Sequence, residues 1–124
     1  LNILKNKRWN MLDINLEFVR GMLFVRLDGK LDRNTYTKFS DCLDTMIHEK
    51  GLLYFVVNLE NLEEIDEEGI QAILNRYFDI TLHDGKLVIC GYHHQFSDNL
   101  KIKTAFEQIE HTSNELGALK LIHI

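Results

Sequence analysis

An α/β fold, a single domain with a mixed sheet of about five strands and helices alternating along it, is what this sequence predicts. Two observations carry the prediction. Tyr54-Phe55-Val56-Val57 is a continuous apolar, β-favouring run, the pattern of a strand covered on both faces. After a polar stretch, Ile70, Ile73, Leu74, Tyr77 and Phe78 recur at helical spacing and form one apolar stripe. A buried strand that feeds such a helix implies a crossover unit, and right-handed crossovers between parallel strands set helices against the sheet.

Taken in order, Leu12 to Phe18 alternates as a half-buried strand, Arg20-Gly21 makes a turn, and Met22 to Leu27 forms the second arm of a hairpin. Asp28 to Asp32 reads as a turn whose last residue is a potential N-cap. Tyr36, Phe39, Leu43, Met46 and Ile47 then share one helical face, and Gly51 suits the left-handed position past the helix end. Following the Tyr54–Val57 strand, Asn58 to Glu64 reads as an acidic loop. Asp66 is a good N-cap, with Glu67 and Glu68 placed against the partial positive charge of the first turn. That helix should end near His83-Asp84-Gly85, before a short strand, Lys86 to Cys90. From Tyr92 to His111 the pattern fits either a helix through Ile102, Ala105, Phe106 and Ile109 or a short helix followed by an edge strand. Thr112-Ser113-Asn114-Glu115 has the form of a capping box, opening a last helix through Leu116, Leu119 and Ile122.

Composition narrows the function. One domain is the natural count for 124 residues, with residues 1–11 an N-terminal arm or a remnant outside the fold and residues 12–124 the domain itself. The true start is expected either upstream or at Met11. A net charge of −5 disfavours both nucleic-acid binding and docking to anionic membranes. No apolar run approaches the roughly 20 residues of a membrane helix, and no secretory signal is visible. Cys42 and Cys90 read as two reduced thiols of a cytoplasmic protein. Enzyme readings find little support. Glu67 and Glu68 point about 100° apart on a helix, unlike a glycosidase pair facing one substrate. There is no glycine-rich phosphate loop, His93-His94 has no spaced partners for a metal, and no cofactor is expected.

Four motifs, in order, resemble the STAS domain of bacterial anti-sigma factor antagonists across roughly residues 12–124. Gly29-Lys30-Leu31-Asp32 is similar to that family's turn into its first helix, and Val56-Val57-Asn58-Leu59 to its apolar strand ending in Asp-Leu. Ile65-Asp66-Glu67-Glu68-Gly69-Ile70 is similar to the Asp-Ser-Ser-Gly-Leu signature opening its second helix. Phe106 to Ile109 and Ser113 to Leu119 resemble its terminal strand and helix, which favours the edge-strand reading of residues 106–110. The resemblance implies a non-enzymatic regulatory module whose partner is an anti-sigma factor kinase, or a related regulatory protein. In the family that kinase phosphorylates the serine after the signature Asp and so breaks the complex. Here Glu67 holds that position, Asn58 replaces the usual Asp, and no Ser or Thr lies between Thr45 and Thr81.

A phosphoserine carries about −1.5 to −2 charge at neutral pH, and Glu67 with Glu68 supplies a comparable charge permanently. Three readings stay open: a mimic of the phosphorylated form, a surface for a basic partner, or acidic residues that solvate the loop and favour the helix dipole. The expected partner-binding residues are Asp32, Asn58, Asp66, Glu67, Glu68, Gly69 and Ile70, with Glu67 the non-phosphorylatable equivalent. The expected oligomeric state is a monomer or weak homodimer. The alternative is a STAS-like structural subunit of a larger signalling or transporter-associated complex, with a dimer interface on Tyr92–Thr104.

Overall fold

The computed structural model describes residues 11–92, 96 and 99–122. The chain opens with a hairpin, β1 (Leu12–Val19) against β2 (Met22–Leu31), paired antiparallel from Leu12↔Gly29 to Val19↔Met22. Arg20 and Gly21 form its two-residue turn with φ of 53° and 85°, the combination that matches the twist of the flanking strands. Helix α1 (Tyr36–Asp44) passes into a single π turn (Thr45–Glu49), and Gly51 follows it at φ 66°. The order continues with β3 (Tyr54–Ile65), α2 (Glu67–Leu82), β4 (Lys86–Cys90), α3 (Leu100–Phe106), β5 (His111–Thr112) and α4 (Glu115–Leu121). The strands lie in the order β1-β2-β3-β4-β5, with only the opening hairpin antiparallel. The expected mixed sheet of five strands is therefore what forms.

The run Tyr54–Val57 is apolar throughout because both faces of β3 are covered. Phe55, Val57 and Leu59 join a core with Phe39 and Leu43 of α1, Ile73 of α2 and Ile102 of α3. Val56 points the other way, into a second cluster with Met22, Phe24, Val88, Cys90 and, from α4, Ala118 and Ile122. Three helices thus pack on one face and α4 on the other. Among the described residues no helix is long and apolar enough to cross a membrane. Both cysteines are free; burial raises the Cys42 thiol above its ordinary value and pushes Cys90 up to about 12, with Glu115 and Glu60 adding to the rise at Cys90.

Several boundaries differ from expectation. The acidic stretch Asn58–Glu64 is strand rather than loop, and β2 reaches Leu31 rather than Leu27. These two segments go on pairing with each other beyond the end of β4, from Asp28↔Asn61 to Leu31↔Ile65. Register shifts at Arg26/Asp28 and Gly29/Lys30 break the simple alternation, so buried Leu59 and Leu62 fall three residues apart. Residues 106–110 are not a strand: Phe106 ends α3, and the short β5 instead pairs Ile89↔His111 and Cys90↔Thr112. Thr112 is therefore not a helix cap. Asn114 caps α4, accepting from the Gly117 amide at 2.9 Å. Helix α4 buries Ala118, with Ile122 buried directly after it, and leaves Leu116 and Leu119 exposed. Asp32 does not cap α1 either. Its Oδ1 accepts from the Asn34 amide at 2.9 Å, and Thr35 occupies the N-cap position. Residues 1–10 of the expected arm, the His93-His94 pair and part of the expected Tyr92–Thr104 interface lie outside the described residues.

Phe55 is fully buried at the centre of the larger core. Phe55→Ala should cost about 3–5 kcal/mol, read as a lower urea midpoint with the slope unchanged.

Candidate functional site

The continued pairing of β2 and β3 delivers two chain segments to one place. Where the ladder ends at Leu31↔Ile65, β2 turns toward α1 and β3 turns into α2. Asp66 joins the two turns. Its amide donates to the Leu31 carbonyl at 3.3 Å, its Oδ1 accepts from the Gly69 amide at 2.9 Å, and its Oδ2 accepts from the Arg33 amide at 2.9 Å. It is thus the helix cap that the sequence implied and also a tie to the neighbouring turn, where Asp32 lies.

Gly69 is required by packing inside the chain. A Cβ there would sit 2.2 Å from the Leu31 carbonyl oxygen, so the close approach it permits is that of α2 to the end of β2. Ile70 is buried in the core. Of the five residues Asp66–Ile70, Glu67 and Glu68 are the exposed ones. Asn58 lies elsewhere, on the α4 face, where its Nδ2 donates to Glu115 Oε2 at 2.8 Å and its Oδ1 accepts from the Glu60 amide at 2.9 Å.

The acidic run is not one patch. Glu60, Glu63 and Glu64 are spread along β3, and Glu64 Oε2 lies 3.7 Å from Lys30 Nζ. Lys101 of α3 pairs with Glu67, a cation brought from 34 residues away that the local sequence does not reveal. Both side chains of this pair are about two-thirds or more exposed (67% and 72%), and exposed pairs of this kind are worth about 0.2–1 kcal/mol. Lys101 therefore offsets Glu67 without burying it. Beside the pair, an open groove of about 500 Å³ runs between α2 and α3, with Ile70, Leu74 and Leu100 among its apolar lining.

The α4 face carries a second polar arrangement. Arg26 binds Glu115 through Nε (2.7 Å) and NH2 (2.8 Å), and its NH1 reaches Glu17 at 2.7 Å. These bonds hold the guanidinium above its ordinary value. The Arg26 hydrogen bond, with a smaller contribution from Asn58, holds the Glu115 carboxyl below its own against the opposing effect of burial. The network ties β1, β2, β3 and α4 together at one end of the sheet.

This sheet order, with a capped helix at the β2–β3 exit, can be set beside known proteins. The STAS domain family matches residues 13–119. The chain belongs to the STAS domain family. The anti-sigma F factor antagonist of Paenibacillus polymyxa is 30% identical to it over 113 residues, which span 91% of this chain and 97% of that protein. The solved structure of the anti-sigma factor antagonist SpoIIAA in its unphosphorylated form superposes with a TM-score of 0.70 at 20% identity, covering 88% of this chain and 96% of that one. SpoIIAA of Bacillus in its phosphorylated form gives 0.68 at 17% identity, covering 89% and 100%. These superpositions speak for the fold. The relationship to an anti-sigma factor antagonist rests on the sequence of the Paenibacillus protein.

Within this STAS domain the sequence reading located Asp66 and the exposed glutamates through capping chemistry, a local signal. It missed Lys101 and the Arg26–Glu115–Asn58 network, whose members are 34, 89 and 57 residues apart and leave no periodic trace. Asp66→Ala should lower stability by about 1–2 kcal/mol in urea unfolding, since it removes the helix cap. For Glu115 the sign follows from its lowered value. Its contribution is complete at neutral pH and lost as pH falls below about 4.3 through the folded value. Glu115→Gln should therefore cost about 1–3 kcal/mol at pH 7 and flatten the fall in urea midpoint between neutral and acid pH.

Proposed function

We propose that this STAS domain acts as an anti-sigma factor antagonist whose docking surface, the start of α2 with the adjoining Leu31–Arg33 turn and the α2–α3 groove, carries a fixed charge. In this reading the partner is an anti-sigma factor kinase or a related regulatory protein. Glu67 holds the place of the phosphorylatable serine. The observation that carries the proposal is the pairing of an Asp66-capped helix start with exposed glutamates directly after the cap. A relative 30% identical bears the name of an anti-sigma F factor antagonist, and SpoIIAA is known in unphosphorylated and phosphorylated forms.

Chemistry supports the loss of serine control. A carboxylate cannot accept a phosphoryl group as a stable ester, and no Ser or Thr lies between Thr45 and Thr81. The charge at Glu67 is answered within the chain by Lys101, an exposed lysine that a partner can displace at small cost. Leu100, one residue before it, is 76% exposed and offers apolar contact beside the charge. A partner suited to this surface brings a cation to Glu67 and Glu68 and an apolar side chain to the groove.

The test uses the cognate anti-sigma factor kinase, purified, with ATP. The wild-type chain should take up no phosphate at residues 66–69, whereas Glu67→Ser should become labelled there, as read by mass spectrometry. Binding measured by calorimetry should fall at least tenfold for the Glu67→Lys, Glu68→Lys double variant. Unchanged binding by that variant would remove this surface from the function, while labelling of the wild type at residues 66–69 would remove the fixed-charge reading.

A further inference from the structure

Away from the α2 start, the other end of that helix meets the π turn through an arrangement of metal-ligand type. One ligand atom each from Asp44, His48 and Asp79 lies within 4.8 Å of the others. His48 Nε2 is 2.9 Å from Asp79 Oδ2, and Arg76 forms an ion pair with Asp44 Oδ1. The geometry points to a divalent-cation site of zinc type, held by Asp44, His48 and Asp79 between α1 with its π turn and α2. This inference does not depend on the partner reading above.

The spacing fits such an ion. Zinc bonds imidazole nitrogen and carboxylate oxygen at about 2.0–2.2 Å, so two ligands of a tetrahedral ion stand roughly 3.3 Å apart. The His48–Asp79 contact is already close to that separation, so small side-chain rotations admit the ion between them. Asp44 completes a set of one imidazole and two carboxylates, a nitrogen–oxygen donor set suited to zinc rather than to a soft metal. The surroundings hold these ligands in place. Asp79 has a second histidine neighbour: His83 Nδ1 lies 2.8 Å from the Asp79 carbonyl oxygen and 3.4 Å from Oδ1. The Oδ1 contact sits on the carboxylate oxygen opposite the one facing His48, and such outer neighbours orient metal-ligating carboxylates. Arg76 pairs with Oδ1 of Asp44, one of that carboxylate's two oxygens.

The backbone contributes too. Asp44 closes α1, and His48 lies in the one π turn among the described helices, a distortion that recurs at functional sites. The π turn places His48 over Asp79 of the neighbouring helix. The two carboxylates and Arg76 sum to one negative charge, which a divalent cation reverses. The competing account is two separate interhelical pairs, His48–Asp79 and Asp44–Arg76, with no ion.

The experiment takes the full chain, stripped with EDTA and exchanged into chelator-free buffer, and titrates it with Zn²⁺ by calorimetry. One ion per chain should bind at this site and raise Tm. His48→Gln and Asp79→Asn, which keep a hydrogen bond between the helices, should each weaken zinc binding by at least about tenfold. His93→Ala with His94→Ala, remote in sequence, should leave this binding intact. Co²⁺ should give a visible absorption band in the wild type that His48→Gln abolishes. Circular dichroism of each metal-free variant establishes that it is folded before titration, and either ligand variant alone decides the outcome. No saturable zinc binding, undiminished affinity in the folded ligand variants, or loss confined to the His93/His94 variant would overturn the site.

Discussion

Two parallel strands, β2 and β3, stay hydrogen-bonded past the end of β4, and the end of that ladder sets the position of everything at the candidate docking surface. Leu31 and Ile65 are the last pair. One residue further, the Leu31 carbonyl accepts from the Asp66 amide, and Asp66 in turn ties the Gly69 and Arg33 amides. The helix start cannot shift without breaking these bonds, since its donors are then left unpaired in a partly buried place. Gly69 is the matching concession in covalent structure: any side chain there collides with the Leu31 carbonyl. Glu67 and Glu68 owe their outward placement to bonds and close contacts made by their neighbours, among them buried Leu31 and Gly69.

The division of labour within Asp66–Ile70 follows from this. The residues most rigidly required, Asp66, Gly69 and Ile70, are occupied with the chain itself, as cap, as close contact and as core. The two between cap and close contact are free to differ, because their side chains meet water. A change of side chain at such a place alters charge without altering the scaffold, and acidic residues there suit the helix start. The exposed Lys101 pair fits the same picture, a weak counterion held ready at the surface rather than a buried structural bridge.

The opposite face shows a different use of charge. Arg26 and Glu115 bind through two nitrogens and are partly shielded, so the pair fixes α4 against the sheet and shifts both groups from their ordinary values. Asn58 belongs to this network. It lies directly after the apolar run Tyr54–Val57 in β3, where it satisfies Glu115 and the Glu60 amide. An asparagine there donates to a carboxylate that an aspartate would repel.

By itself the sequence determined the strand–helix order, the five-stranded mixed sheet, the Arg20-Gly21 turn, the Asp66 cap and the exposure of Glu67 and Glu68. Each is written in a window of a few residues, as alternation, helical spacing or capping chemistry. Tertiary structure decided what lies beyond such windows. Asn58–Glu64 became strand because β2 ran on beside it, residues 106–110 formed no strand because β4 met residues 111–112 instead, and Leu116 and Leu119 stayed outside because Ala118 and Ile122 fitted the sheet. Lys101 against Glu67, Arg26 against Glu115 and His48 against Asp79 are likewise set by packing. Contacts between residues tens of positions apart depend on how whole elements dock, and no local pattern encodes that.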